Sequence, residues 1–168
     1  MLSVRQLKEL TRSLDAAALE KQLGAFVLIQ RPLISDAKRV ETLATRPLAN
    51  PNKPGTSRGV FDFEDLWVAT LPPIRSRDSF VLGRSPDCEL VIDADTVSKQ
   101  HARIDWSRGV AHLSDLQSSN GVFVNRVKLG NDLRALEDND LITLGSVEMF
   151  FMMVTTLRRR MGINASNR

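Results

Sequence analysis

From Phe61 onward the chain breaks into short β-prone runs separated by turn residues: LWVAT, SFVLG, ELVID, HARIDW, VAHLSD, GVFVN, DLITLG and VEMFFMMV. Runs of this length are too short for helical periodicity, and their Val, Ile, Phe and Trp content suits a pleated, half-buried surface. His101 to Trp106 and Val110 to Leu113 alternate across Ser107-Arg108-Gly109, which predicts a hairpin. Asn139-Asp140 predicts a further turn ahead of Leu141. Repeated strands at this spacing imply an all-β sandwich or barrel.

The N-terminal part reads differently. Ser3 is placed to cap a first short helix, with Gln6 completing a capping box and Leu2 and Leu7 at staple positions. Asp15 is placed to cap a second helix through AAALEKQL, with Leu14 and Leu19 as its staple and Gly24 as its stop. Phe26 to Ile29 is a short apolar run that reads either as a strand or as an anchor for the helices. Helices this short are unstable alone, so their Leu faces must pack on the domain, on a second copy or on a partner. Pro32, Pro47, Pro51 and Pro54 then interrupt any periodicity and predict a linker. The organisation expected is a helical extension over 1–30, a linker over 31–60, a β domain over 61–155 and a basic tail over 156–168.

Charge follows the same division. Residues 1–60 hold ten Lys/Arg against five Asp/Glu, residues 61–155 nine against fifteen, and the tail four arginines and no acid. The β region is therefore acidic although the whole chain is +3. A nucleic-acid binder would carry its positive stripe on the folded face, so this reading is disfavoured. No apolar run reaches the length of a membrane span, and no signal-peptide pattern opens the chain, which implies a cytoplasmic location. Cys88, the single cysteine, offers neither an internal disulfide nor metal-ligand spacing. No metal or cofactor is expected.

Three polar motifs sit at the ends of the β runs. Gly83-Arg84-Ser85 follows SFVLG, Ser98-Lys99-Gln100-His101 opens the hairpin, and Ser119-Asn120-Gly121 follows VAHLSD, with Asn125 four residues beyond Gly121. Loops cluster at the ends of a sandwich, so motifs distant in sequence can meet there. Arg84 offers a planar cationic fork, Ser98 a hydroxyl, and Asn120 an amide that both donates and accepts. Ser98 and His101 also raise a nucleophile–base pair, but no third orienting residue or nucleophile elbow accompanies them, so no catalytic residue is assigned.

The ordered set resembles the forkhead-associated (FHA) family over roughly residues 62–155. The resemblance implies an FHA-like β-sandwich of two packed, mostly antiparallel sheets, with a helical extension and linker ahead of it. It implies a phosphothreonine site made by Arg84, Ser98, Lys99, Ser119 and Asn120. Gly83, His101, Gly121 and Asn125 would support that site without touching ligand. A phosphothreonine side chain carries nearly two negative charges and several strong acceptors, which suits such a set of donors. The function implied is that of a non-enzymatic adaptor in Ser/Thr kinase signalling, its partner a kinase or a kinase substrate, with the N-terminal helices free for a second partner or for self-association. The alternative is an assembly module indifferent to phosphate. Lys99 stands where many members have Arg, and Val122-Phe123 replaces a Thr-containing turn; both bear on peptide preference. Some bacterial members carry a phosphorylatable threonine on an N-terminal arm that folds back into their own site. Thr42 and Thr45 admit that reading, and equally that of ordinary linker residues.

Overall fold

The computed structural model describes residues 2–10, 16–30, 66–69 and 78–163. Asp15, Leu14, the segment containing Thr42 and Thr45, and the last five residues lie outside the described residues.

Each of the eight runs contains a strand: β3 (Trp67–Ala69), β4 (Ser79–Gly83), β5 (Leu90–Val91), β6 (Ala102–Ser107), β7 (Val110–Asp115), β8 (Val122–Val124), β11 (Leu141–Leu144) and β12 (Val147–Met153). Four further strands complete the sheets: β1 (Leu2–Ser3), β2 (Phe26–Gln30), β9 (Val127–Lys128) and β10 (Arg134–Ala135). One sheet runs β1-β3-β2-β12-β11-β8-β9 and the other β10-β7-β6-β4-β5. All pairings are antiparallel except β4 with β5.

The predicted hairpin closes on two residues: Ser107 pairs with Val110, and Arg108 and Gly109 both take positive φ, 52° and 82°. That is the turn whose twist matches the strands it joins. Asn125 and Arg126 close β8 to β9 in the same way, at 51° and 69°.

The two sheets share one apolar core. Phe26 and Leu28 meet Phe80, Leu82, Ile104, Leu113, Ile142, Leu144, Met149 and Phe151. Phe26 stands at its centre, 5.0 Å from the Phe151 ring, 5.4 Å from Trp106 and 6.0 Å edge-on to Phe80.

A second cluster lies on the other face of the larger sheet. Val27, Ile29, Val68 and Met152 pack there with Val4 and Leu7 of α1 (Val4–Leu10), Leu23 of α2 (Ala16–Leu23), and Val154 and Leu157 of α3 (Val154–Arg160). Phe26–Ile29 is thus a strand, and its outward residues are also the anchor for the helices. With both faces covered, β2 has no reason to alternate, which explains its continuous apolar run.

This arrangement revises the expected organisation. The sheet extends beyond 61–155 to take in β1 and β2, and part of the basic tail is α3, with its Leu157 and the following Met161 buried. Val4, Leu7 and Leu23 are buried inside the molecule. The capping box forms as expected: the Gln6 N–H donates to Ser3 Oγ at 3.1 Å, and the Ser3 N–H to Gln6 Oε1 at 3.0 Å. Among the described residues no helix is long and apolar enough to cross a membrane.

Candidate functional site

Strand β4 ends at Gly83, and the chain then runs directly against the loop before β6. The Arg84 N–H donates to the Ser98 carbonyl at 2.9 Å and the Ser85 N–H to the Lys99 carbonyl at 3.0 Å. Gly83 allows this approach, since a Cβ there would overlap the Lys99 carbonyl. The Cys88 thiol, buried beneath, donates to the same carbonyl at 3.2 Å. Burial pushes that thiol above its ordinary pKa, and Glu89 and Asp87 add to the rise against a lowering hydrogen bond at Ser85. Arg84 itself is exposed, with only its Nε held, by the Val97 carbonyl at 3.3 Å. Lys99 is exposed too, and neither cation meets a carboxylate among the described residues.

The second junction joins the Ser98 loop to the loop after β7. The Ser119 N–H donates to Ser98 Oγ at 3.0 Å, and the Ser98 hydroxyl makes a long 3.4 Å contact to Ser119 Oγ. At that length the hydroxyl protons are weakly held and open to a better acceptor. Asn120 is exposed and donates Nδ2 to the Thr96 carbonyl at 2.8 Å. Asp115 Oδ1 accepts the Ser118 N–H at 2.9 Å and shapes the approach to Ser119.

His101 lies behind both loops, fully buried. Its Nδ1 accepts the Ser98 backbone N–H at 2.9 Å and its Nε2 sits 3.1 Å from the Gly121 carbonyl. An amide only donates and a carbonyl only accepts, so the ring is the neutral tautomer protonated on Nε2. Both nitrogens are spent on backbone, and neither is bonded to the Ser98 hydroxyl, so the pair is not arranged as nucleophile and base. Gly121 has φ of 77°, a conformation costly for a residue with a Cβ.

Asn125 is set apart from these loops and ties strand ends together. Its Nδ2 donates to Asp140 Oδ1 at 2.7 Å, its Oδ1 accepts the Leu141 N–H at 3.0 Å, and its own N–H donates to the Leu141 carbonyl at 2.8 Å. Arg84, Ser98, Lys99, Ser119 and Asn120 are therefore drawn to one end of the sandwich, with Gly83, His101 and Gly121 behind them.

Several contributors carried no sequence signal. Thr96 and Val97 act through carbonyls, which every residue has, and Cys88 reads as a small apolar filler. Among the described residues no group of three or more His, Cys, Asp or Glu is placed to hold a metal.

Comparison with protein families matches residues 80–145 to the FHA domain. Residues 80–145 are an FHA domain. The similar region recurs in the ABC transporter ATP-binding/permease protein Rv1747 of Mycobacterium tuberculosis, 34% identical over 89 residues, 53% of this chain and 10% of that protein. The FHA domain-containing protein FhaA of the same organism is 36% identical over 75 residues, 45% and 14% of the two chains. The glycogen accumulation regulator GarA of Mycolicibacterium smegmatis is 33% identical over 70 residues, 42% of this chain and 43% of GarA. The chain thus spans less than half the length of each of these relatives. Among solved structures, the FhaA FHA domain complexed with the intracellular domain of Rv3910 is 32% identical, covering 51% of this chain and 87% of that one, with a TM-score of 0.45. The FHA match begins at Phe80 and ends at Gly145, so β1, β2, β3, the helices and the whole of β12 lie outside it although they complete the fold.

Proposed function

We propose that this protein is a phosphothreonine-dependent adaptor in Ser/Thr kinase signalling, acting in the cytoplasm and without catalysis of its own. The observation that carries this reading is the convergence of three loops, through Ser98, on one exposed set of donors. Arg84 and Lys99 present positive charge with no acidic partner among the described residues. The Ser98 and Ser119 hydroxyls, loosely paired at 3.4 Å, are ready to donate to phosphate oxygens. Arg84 supplies a charge-assisted fork, Lys99 a mobile second charge, and Asn120 grips the main chain of an extended peptide beside the phosphorylated residue. The spent nitrogens of His101 favour binding over hydrolysis. The FHA domain of FhaA, crystallised with the intracellular domain of Rv3910, offers a precedent for protein partners.

Fluorescence anisotropy with degenerate phosphothreonine, phosphoserine and unphosphorylated peptide libraries tests the proposal. Saturable binding that requires phosphothreonine and disappears in Arg84→Ala is expected. Equal binding of phosphorylated and unphosphorylated libraries would overturn it in favour of an assembly module.

A further inference from the structure

The Asn120 amide is steered from a fourth loop that lies outside the three motifs. Its Nδ2 donates to the Thr96 carbonyl at 2.8 Å. Thr96 is held in turn by the turn between β11 and β12. The Ser146 N–H donates to Thr96 Oγ1 at 2.9 Å, and the two hydroxyls stand 2.7 Å apart across 50 residues of sequence. Gly145, at φ of 59°, lies so close beneath that a Cβ there would overlap both the carbonyl and the hydroxyl of Thr96. That turn is joined back to the Asn120 loop, because Leu144 at the end of β11 pairs with Val122. The contacts therefore close a ring: Asn120 to Thr96, Thr96 to Gly145-Ser146, Leu144 to Val122, and along the chain to Asn120.

We propose that Thr96 and Ser146 are positioning residues for phosphopeptide binding. They fix the carbonyl that takes one Nδ2 hydrogen of Asn120, which leaves Oδ1 and the other hydrogen aimed at the peptide main chain. An amide carries two donors and one two-lone-pair acceptor, so one committed hydrogen is enough to set its orientation. Without that restraint the terminal torsion of Asn is broad, and ordering it falls on the binding step. The inference rests on the reading of Asn120 as a peptide contact.

The test uses the full chain with Thr96→Val, Thr96→Ser, Ser146→Ala and Asn120→Ala. Three readouts are taken: anisotropy with the degenerate phosphothreonine peptide library, NMR titration with free O-phosphothreonine, and the Asn120 side-chain amide signals in ligand-free protein. Thr96→Val is expected to weaken the peptide library roughly five- to tenfold, with free phosphothreonine unchanged. Thr96→Ser, which keeps the hydroxyl, should restore binding, and Ser146→Ala should fall between. In Asn120→Ala the Thr96→Val change should add nothing, and the Asn120 amide protons should exchange faster in Thr96→Val alone. Equal losses for library and free phosphothreonine, or a full additional loss in Asn120→Ala, would overturn the positioning role. Wild-type protein that binds neither ligand would instead sink the phosphothreonine reading on which the role depends.

Discussion

The Ser98 hydroxyl oxygen accepts the Ser119 N–H at 3.0 Å, joining two loops that are 21 residues apart in sequence. Removing the hydroxyl with Ser98→Ala breaks this bond and takes away a proposed phosphate donor together. Ser119→Ala keeps the backbone bond of the junction and loses only the long 3.4 Å hydroxyl contact. Phosphopeptide affinity should therefore fall on the order of tenfold in Ser98→Ala and several-fold less in Ser119→Ala, given charge-assisted bonds of ordinary strength. Anisotropy titrations of the two variants side by side check the order.

Arg84 is exposed and its side chain is held by a single bond to a carbonyl. Arg84→Ala should leave the melting temperature nearly unchanged and reduce phosphopeptide affinity by roughly ten- to a hundredfold. Arg84→Lys should recover only part of the loss, because a point charge does not replace a planar fork. Calorimetric unfolding beside peptide titration separates the two effects.

His101 makes the opposite prediction. The ring is fully buried and satisfies one backbone N–H and one backbone carbonyl. His101→Ala leaves both without their partner and opens a cavity, at a cost of about 2–4 kcal/mol. Urea unfolding should register that loss directly, with weakened phosphopeptide binding accompanying it.

A chain shortened to residues 61–168 should fail to fold. It lacks β2, whose Phe26, Val27, Leu28 and Ile29 are at most 2% exposed and fill both apolar clusters. Each contributes about 1.5–3 kcal/mol of burial, against a total stability for a domain of about 5–15 kcal/mol. Residues 16–30 are therefore expected to be needed for a dispersed amide spectrum; a well-dispersed spectrum from 61–168 alone would contradict the assignment of β2 to the core.

The sequence made the eight longer β runs legible because each has one face toward the shared core or lies within the sheet interior, and turn residues mark its ends. The pairs Leu2–Ser3, Val127–Lys128 and Arg134–Ala135 are too short for any period to register. Phe26–Gln30 stayed ambiguous for the reason that makes it central: helices cover its outer face, which erases the alternation that marks a strand. At the site, Arg84, Ser98 and Asn120 stood out because their side chains carry the distinctive chemistry. The Thr96 carbonyl and the Ser146 contact did not, since a main-chain acceptor and a partner 50 residues away leave no local pattern.

Cys88 ties acid–base behaviour to the site. Its thiol must be protonated to donate to the Lys99 carbonyl, and burial raises its pKa. The stabilisation it provides is fully present below the ordinary thiol range and is lost as pH rises through the raised value. Native protein should react with iodoacetamide at neutral pH much more slowly than the urea-unfolded chain. Cys88→Ala should flatten the alkaline arm of the stability profile.

The pairing of β2 with β3 sets Gln30 directly beside Trp67. Two strand ends 37 residues apart in sequence are thus held side by side by the sheet itself. Halving or doubling the intervening stretch alters loop closure by only about 0.6 kcal/mol. Variants lengthened or shortened between Gln30 and Trp67 are therefore expected to keep the pairing of β2 with β3 and, with it, the core that supports the loops of the site.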